Sequence, residues 1–136
     1  MQKLTVNATI DQIRPVTDFV NAQLENEGCS LRVTSQVDIA IDEIFSNIAN
    51  YAYGADKGEA TVCVEILDEP LRVVIRFIDS GTPYDPLSTE HRDTTRLALE
   101  ERPIGGLGVY LVKRIMDDVS YEYKDGQNIL TISKKI

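Results

Sequence analysis

Thr61-Val-Cys-Val-Glu-Ile-Leu67, Asp68-Glu69-Pro70, Leu71-Arg-Val-Val-Ile-Arg-Phe-Ile-Asp79: the reading of this stretch decides the fold. Two runs rich in β-branched residues flank a connection of hairpin length, so both runs are expected to be strands. Val73-Val74-Ile75-Arg76-Phe77-Ile78 is apolar nearly throughout, which predicts a mostly buried second strand. Another pair closes the chain, at 119–124 and 129–133, around Asp125-Gly126, a dipeptide suited to a tight turn. Near the start, Leu4, Val6 and Ala8 alternate with Thr5, Asn7 and Thr9, the pattern of a half-exposed strand.

Helical spacing fills the gaps between these strands. Val16, Phe19, Val20 and Leu24 repeat as one face of a helix, with Asp11 as the expected cap and Gly28 as the stop. Pro15 is tolerated because it falls in the first turn, where amides have no intrahelical partner. A second helix is expected after Ser30, to about Tyr53, with Val33, Val37, Ala40, Ile41, Ile44 and Ile48 as its buried stripe. Residues 54–58 read as a turn. Residues 82–104 have no clean periodicity, and a stretch that long is expected to be a functional loop or lid, with 87–104 its mobile part. A third helix follows the glycines at 105, 106 and 108, carrying Val109, Leu111, Val112, Ile115 and Met116, and ends near Asp118. Sequential hairpins with helices between them imply a two-layer α/β (α+β) sandwich. Its sheet is expected to be a mostly antiparallel mixed one, with helices on one face.

Composition sets outer limits. The 136 residues are 43% apolar and 26% charged, ordinary for one folded domain spanning 1–136 and unlike a disordered chain. A formal charge of −8 argues against direct nucleic-acid binding and against docking on an anionic membrane, because those surfaces need excess Lys and Arg. A basic protein partner, or solubility alone, suits that charge. Cys29 and Cys63 are isolated and read as free thiols of a reducing compartment, and two Cys with one His make no zinc spacing. No apolar run approaches a membrane span, and Met1-Gln2-Lys3 leads into alternating residues, so a cytoplasmic protein is expected.

Three short motifs carry chemistry. In the second helix Glu43 and Asn47 lie four residues apart and share a face, and Asn50 and Tyr51 extend the row. A carboxylate there can accept a proton, and an Asn oxygen can ligate Mg²⁺, a hard cation that prefers oxygen. An ordinary solvated helix face would show the same residues. Asp79, in Asp79-Ser80-Gly81-Thr82-Pro83, ends a buried strand, where an acid can accept a hydrogen bond from an exocyclic amine such as that of adenine. Gly81 would let a ligand approach the backbone. An Asx-turn explains the same residues equally well. Gly105-Gly106-Leu107-Gly108-Val109 opens a helix whose free amides suit phosphate, although a flexible helix cap needs only one glycine. The run is neither a Walker loop nor a dinucleotide fingerprint. His91 sits among Glu90, Arg92 and Asp93 as a loop residue, and Ser80 has no histidine partner that would make it a nucleophile.

In their order and spacing, these motifs resemble those of the GHKL superfamily, the Bergerat ATP-binding fold. Within it, they resemble the bacterial anti-sigma factor serine kinases. Glu43-Ile-Phe-Ser-Asn47-Ile-Ala-Asn-Tyr-Ala-Tyr53 is similar to that family's helix motif, and Asp79-Ser-Gly81-Thr-Pro83-Tyr-Asp85-Pro86 to its loop. Gly106-Leu-Gly108-Val-Tyr-Leu-Val-Lys-Arg-Ile-Met-Asp117 resembles its glycine-lid helix, and Asn128-Ile-Leu-Thr-Ile-Ser its closing strand. The resemblance implies ATP or ADP with Mg²⁺ as cofactors, Glu43 as general base and Asn47 as metal ligand. It implies that Asp79 reads the adenine amine, that Gly81 and Pro83 shape the base site, and that the 105–109 segment borders the phosphates. It also implies that Thr131 supports the adenine end. Two positions depart from the family: Tyr51 stands where it has a histidine, and Ile104 where it often has a basic residue, leaving Arg102 to neutralise phosphate.

The activity implied is ATP-dependent phosphorylation of a small anti-anti-sigma protein of STAS type, coupled to sequestration of a sigma factor by partner switching. Pairing of two copies through their sheets is implied as well. The alternative is a nucleotide-gated binding module that transfers no phosphate. A sensor histidine kinase domain is disfavoured, because one sandwich already fills the residues that a phosphoacceptor helix pair would need.

Overall fold

The computed structural model describes residues 1–88 and 106–136. Residues 89–105, which take in most of the segment read as a lid and include His91, Arg102, Ile104 and Gly105, lie outside the described residues. Along the described chain run β1 (Gln2–Asn7), α1 (Ile13–Asn26), α2 (Leu31–Tyr51), β2 (Glu59–Leu67), β3 (Arg72–Asp79), α3 (Gly106–Ile115), β4 (Asp118–Lys124) and β5 (Gln127–Lys135). The expected strands and helices are all present, with bounds shifted by up to about three residues. Asp11 does not cap α1. It sits in a 3₁₀ turn at Ile10–Gln12 and accepts from the Thr9 hydroxyl, while Gln12 takes the cap position without a side-chain bond. Ser30 does cap α2, its hydroxyl accepting the Val33 amide at 3.3 Å.

The strands form one sheet in the order β1-β2-β3-β5-β4, and every pair is antiparallel. The mixed character expected for the sheet is therefore absent among the described residues. Each strand pairs with a strand reached by a hairpin or brought alongside by a helical crossover, and the resulting ladders all run opposite. Asp125 and Gly126 close the last hairpin with φ of 54° and 79°, the left-handed pair that a two-residue turn between twisted strands requires.

Cross-strand partners share a face, so the register sorts the side chains into rows. Val62, Phe77 and Leu130 form one row, and Val64, Ile75 and Ile132 the next. These rows face the helices and merge with Val16, Val20 and Leu24 of α1, Val37, Ala40, Ile41, Ile44 and Phe45 of α2, and Val112 of α3 in a single core. At the end of the same face the pattern changes: Ala60 pairs with Asp79, and Asp79 pairs with Asn128. The opposite face carries Cys63, Glu65, Arg76 and Thr131, with Arg76 reaching Glu65 at 3.5 Å.

The helical layer has one polar fault. Asn21 Oδ1 and Asp38 Oδ1 are buried without a hydrogen-bond partner. Burial pushes the Asp38 carboxyl above the ordinary carboxylate value, and the nearby Asp18 charge adds to the shift against the opposing bond from Asn21.

Candidate nucleotide site

The site is built on α2. Glu43 and Asn47 stand one turn apart on it, both half-buried. Two glycines from other parts of the chain press against the same helix. A Cβ added to Gly108 would lie 2.8 Å from Glu43 Cδ and closer still to Oε2, so the Glu43 carboxylate occupies the space a side chain would take. Gly81 meets the far end of α2: its Cβ would come 2.5 Å from the Ala52 carbonyl carbon and 2.7 Å from Ala52 Cβ. The Thr82 amide donates to the Ala52 carbonyl at 2.8 Å, satisfying one of the acceptors left open at the helix end. Ala52, the cap that follows α2, lies about 13 Å along the helix axis from Glu43. The two glycine motifs are thus held at separate points along one helix, with Asn47 between them.

Asp79 ends β3 on the helix-facing side and is only 6% exposed. Its Oδ1 accepts the Gly81 amide at 2.9 Å, so the Asx-turn is formed. The same oxygen accepts Asn128 Nδ2 at 3.0 Å. Both bonds to described residues fall on Oδ1. Oδ2 is left as the acceptor for a donor outside this set. Tyr53 braces the loop from below, its hydroxyl accepting the Ser80 amide at 2.8 Å and donating to the Glu59 carbonyl at 2.5 Å. Asp85 makes a second Asx-turn, accepting the Leu87 amide at 2.8 Å.

The remaining predicted site residues divide. Gly106 opens α3 as expected, with Leu107 following it. Val109 is buried, turned into the protein rather than toward solvent. Asn50 and Tyr51 are exposed at the end of α2, and Pro83 is exposed in the loop. Gly81 has a use the sequence reading did not assign: its bare Cα seats the loop on Ala52. Thr131 is misplaced. It pairs with Arg76 on the sheet face turned away from the helices, so it cannot reach the adenine end; one-residue alternation gives that place to Asn128. Asn128 and Tyr53 were missed as site residues. The signal for Asn128 was available, because it is the polar member of an Asn128, Leu130, Ile132 alternation that is otherwise core.

A donor set for Mg²⁺ can be judged by its chemistry. Among the described residues no group of three His, Cys, Asp or Glu could by itself cage a metal ion. One Asn oxygen with a carboxylate one turn away fits a cation that keeps waters and takes its other ligands from phosphates.

Comparison with known proteins gives the chain's relatives. The family model described as a histidine kinase-like ATPase domain matches residues 6–134. The chain is 33% identical over 108 residues to a serine-protein kinase RsbW of Listeria monocytogenes serotype 4a, covering 76% of this chain and 67% of that protein. It is 32% identical over 96 residues to the RsbW of Bacillus cereus strain G9842, covering 68% of this chain and 58% of that one. Among solved structures, the Acinetobacter baumannii histidine kinase AdeS matches with a TM-score of 0.53 at 12% identity, over 99% of this chain and 68% of that chain, a likeness of fold alone. With a match that runs from β1 through β5 and takes in α2, the Asp79 loop and the glycines of α3, this chain belongs to the histidine kinase-like ATPase domain family.

Proposed function

We propose that this chain is an ATP-dependent protein serine kinase that also acts as an anti-sigma factor. The observation that carries the reading is the arrangement along α2. The turn that follows Asp79, an acid suited to an adenine amine, seats on Ala52 at one end, and the Glu43 carboxylate stands about 13 Å of helix away toward the other. The serine-protein kinase names of the similar Listeria and Bacillus proteins support the reaction class.

In this reading Asp79 Oδ2 accepts the exocyclic amine of adenine, and the exposed loop at Pro83 flanks the base. Asn50 and Tyr51 stand exposed at the end of α2, and the start of α3, from Gly106 through Gly108, offers backbone amides to the phosphates. Asn47, with Glu43 nearby, would hold Mg²⁺, which neutralises phosphate charge when bound. Glu43 takes the proton from a serine hydroxyl of the substrate protein as that oxygen bonds to the γ-phosphorus. The bond from the γ-phosphorus to the bridging oxygen breaks, and ADP leaves with the electron pair.

The substrate is a small anti-anti-sigma protein of STAS type and the sequestered partner a sigma factor, as the motif resemblance implies. The net charge of −8 suits a partner with a basic face. Two copies pair through their sheets, where β1 stands at an edge. No helix among the described residues is long and apolar enough to cross a membrane.

The test is incubation with γ-labelled ATP, Mg²⁺ and the cognate antagonist. Label on an antagonist serine is expected. ATP binding without transfer would replace the kinase by a nucleotide-gated module, a reading that Ile104, where the family often has a basic residue, favours. Absence of any ATP binding would overturn both.

A further inference from the structure

We propose that Asn128 is a positioning residue that sets which oxygen of Asp79 meets the base, and thereby the preference for an amino-purine. Resting on the nucleotide reading above, the proposal adds a specificity determinant to it. Asp79 and Asn128 are direct partners across β3 and β5, and they are the buried polar or charged side chains among the described residues, at 6% and 7% exposure. A buried carboxyl beside a buried amide at the end of an otherwise apolar face is costly unless each atom is satisfied.

Asn128 satisfies its amide entirely within the protein. Its Nδ2 donates to Asp79 Oδ1 at 3.0 Å and to the Thr82 carbonyl at 3.1 Å, with the Gly81 carbonyl at 3.5 Å. Its Oδ1 accepts the Tyr84 amide at 3.1 Å and the Tyr121 hydroxyl. Two hydrogens and two lone pairs are the whole capacity of the group, so nothing is left for a ligand. The orientation is also unambiguous, because a flipped amide would set its oxygen against a carboxylate and two carbonyls and its hydrogens against the Tyr84 amide. Asn128 therefore acts through Asp79. It straps the 81–84 backbone to β5 and, together with the Gly81 amide, occupies Oδ1. A carboxylate held by two bonds on one oxygen cannot swing, and Oδ2 is presented as a fixed acceptor, which an amine can use and a ring carbonyl cannot.

The experiment measures binding of ATP and of purine riboside triphosphate, which lacks the exocyclic amine, to wild type and Asn128→Ala by calorimetry. Wild type is expected to prefer ATP by about 10- to 100-fold, the scale of one hydrogen bond to a charged group. In Asn128→Ala the preference should fall to within about threefold, because a carboxylate held by the Gly81 amide alone can rotate and no longer fixes Oδ2 on the amine. A merely structural role would weaken both nucleotides together, and that result overturns the proposal. So does an unchanged preference. Where Ala does not fold, Asn128→Val, a branched residue suited to a strand, makes the same comparison with the same two outcomes. Wild type that binds ATP without any amine preference would overturn the Asp79 assignment as well, a failure distinguishable from that of Asn128 alone.

Discussion

Replacing Gly81 by Ala tests whether the Asp79 loop is seated on α2. The added methyl would lie 2.5 Å from the Ala52 carbonyl carbon and 2.7 Å from Ala52 Cβ, where ordinary contacts begin near 3.4 Å. The obstacle is backbone at a helix end, which cannot rotate aside as a side-chain tip can. The loop must lift, and the 2.8 Å bond from the Thr82 amide to Ala52 breaks with it. Overpacking of this kind costs about 1–3 kcal/mol, and the lost hydrogen bond adds roughly 1 kcal/mol. The expected total is about 2–4 kcal/mol, a fall in thermal midpoint of roughly 10 °C for a chain of this size. Urea denaturation followed by circular dichroism gives the free energy directly. Gly108→Ala is the built-in comparison, since its obstacle is the far end of the Glu43 side chain and the methyl gains helix propensity of up to about 1 kcal/mol. That variant should keep near-wild-type stability while phosphorylation falls, because the carboxylate is displaced. A Gly81→Ala protein within about 0.5 kcal/mol of wild type would refute the seating argument.

Glu43→Gln keeps size but not basicity, so phosphorylation should fall about 10²-fold or more while ATP affinity stays within a few-fold. A Gln variant that phosphorylates at the wild-type rate would remove Glu43 as the base. Asn47→Ala should instead weaken Mg²⁺-nucleotide binding and transfer together, read by calorimetry and labelled ATP side by side. Tyr53→Phe removes the hydroxyl that joins Ser80 to Glu59 and should cost about 1–2 kcal/mol in urea denaturation. Asp38→Asn should stabilise the protein at neutral pH. The folded state raises this carboxyl's pKa and so binds the proton more tightly than the unfolded chain, which means its penalty grows as pH rises through the carboxylate range. The advantage of the Asn variant should therefore vanish at acid pH, and a gain that persists there would locate the effect elsewhere.

Much of this protein could be read from its residues alone, because local patterns report local structure. The 61–79 hairpin, the stripe of α2 and the Asp125-Gly126 turn each follow from spacing or from a backbone conformation that few residues adopt, and the structure bears them out. Glu43 and Asn47 were likewise legible, since one helical turn puts them on one face whatever surrounds them. Cap chemistry was less so: Asp11 found a nearer partner in Thr9, and propensity does not decide between two short bonds.

Positions that depend on strand register were legible as to face but not as to partner. Which residue of β5 stands beside Asp79 turns on the register between β3 and β5, and Asp79 and Asn128 are 49 residues apart in sequence. The strand's own alternation puts Asn128 on the face of Leu130 and Ile132 and Thr131 on the other; the long-range pairing decides that Asn128 stands beside Asp79. The same holds for Gly81 and Gly108. Sequence showed that bare backbone was wanted at both, and only the packing of distant elements onto α2 decided that a carbonyl fills one space and a carboxylate the other.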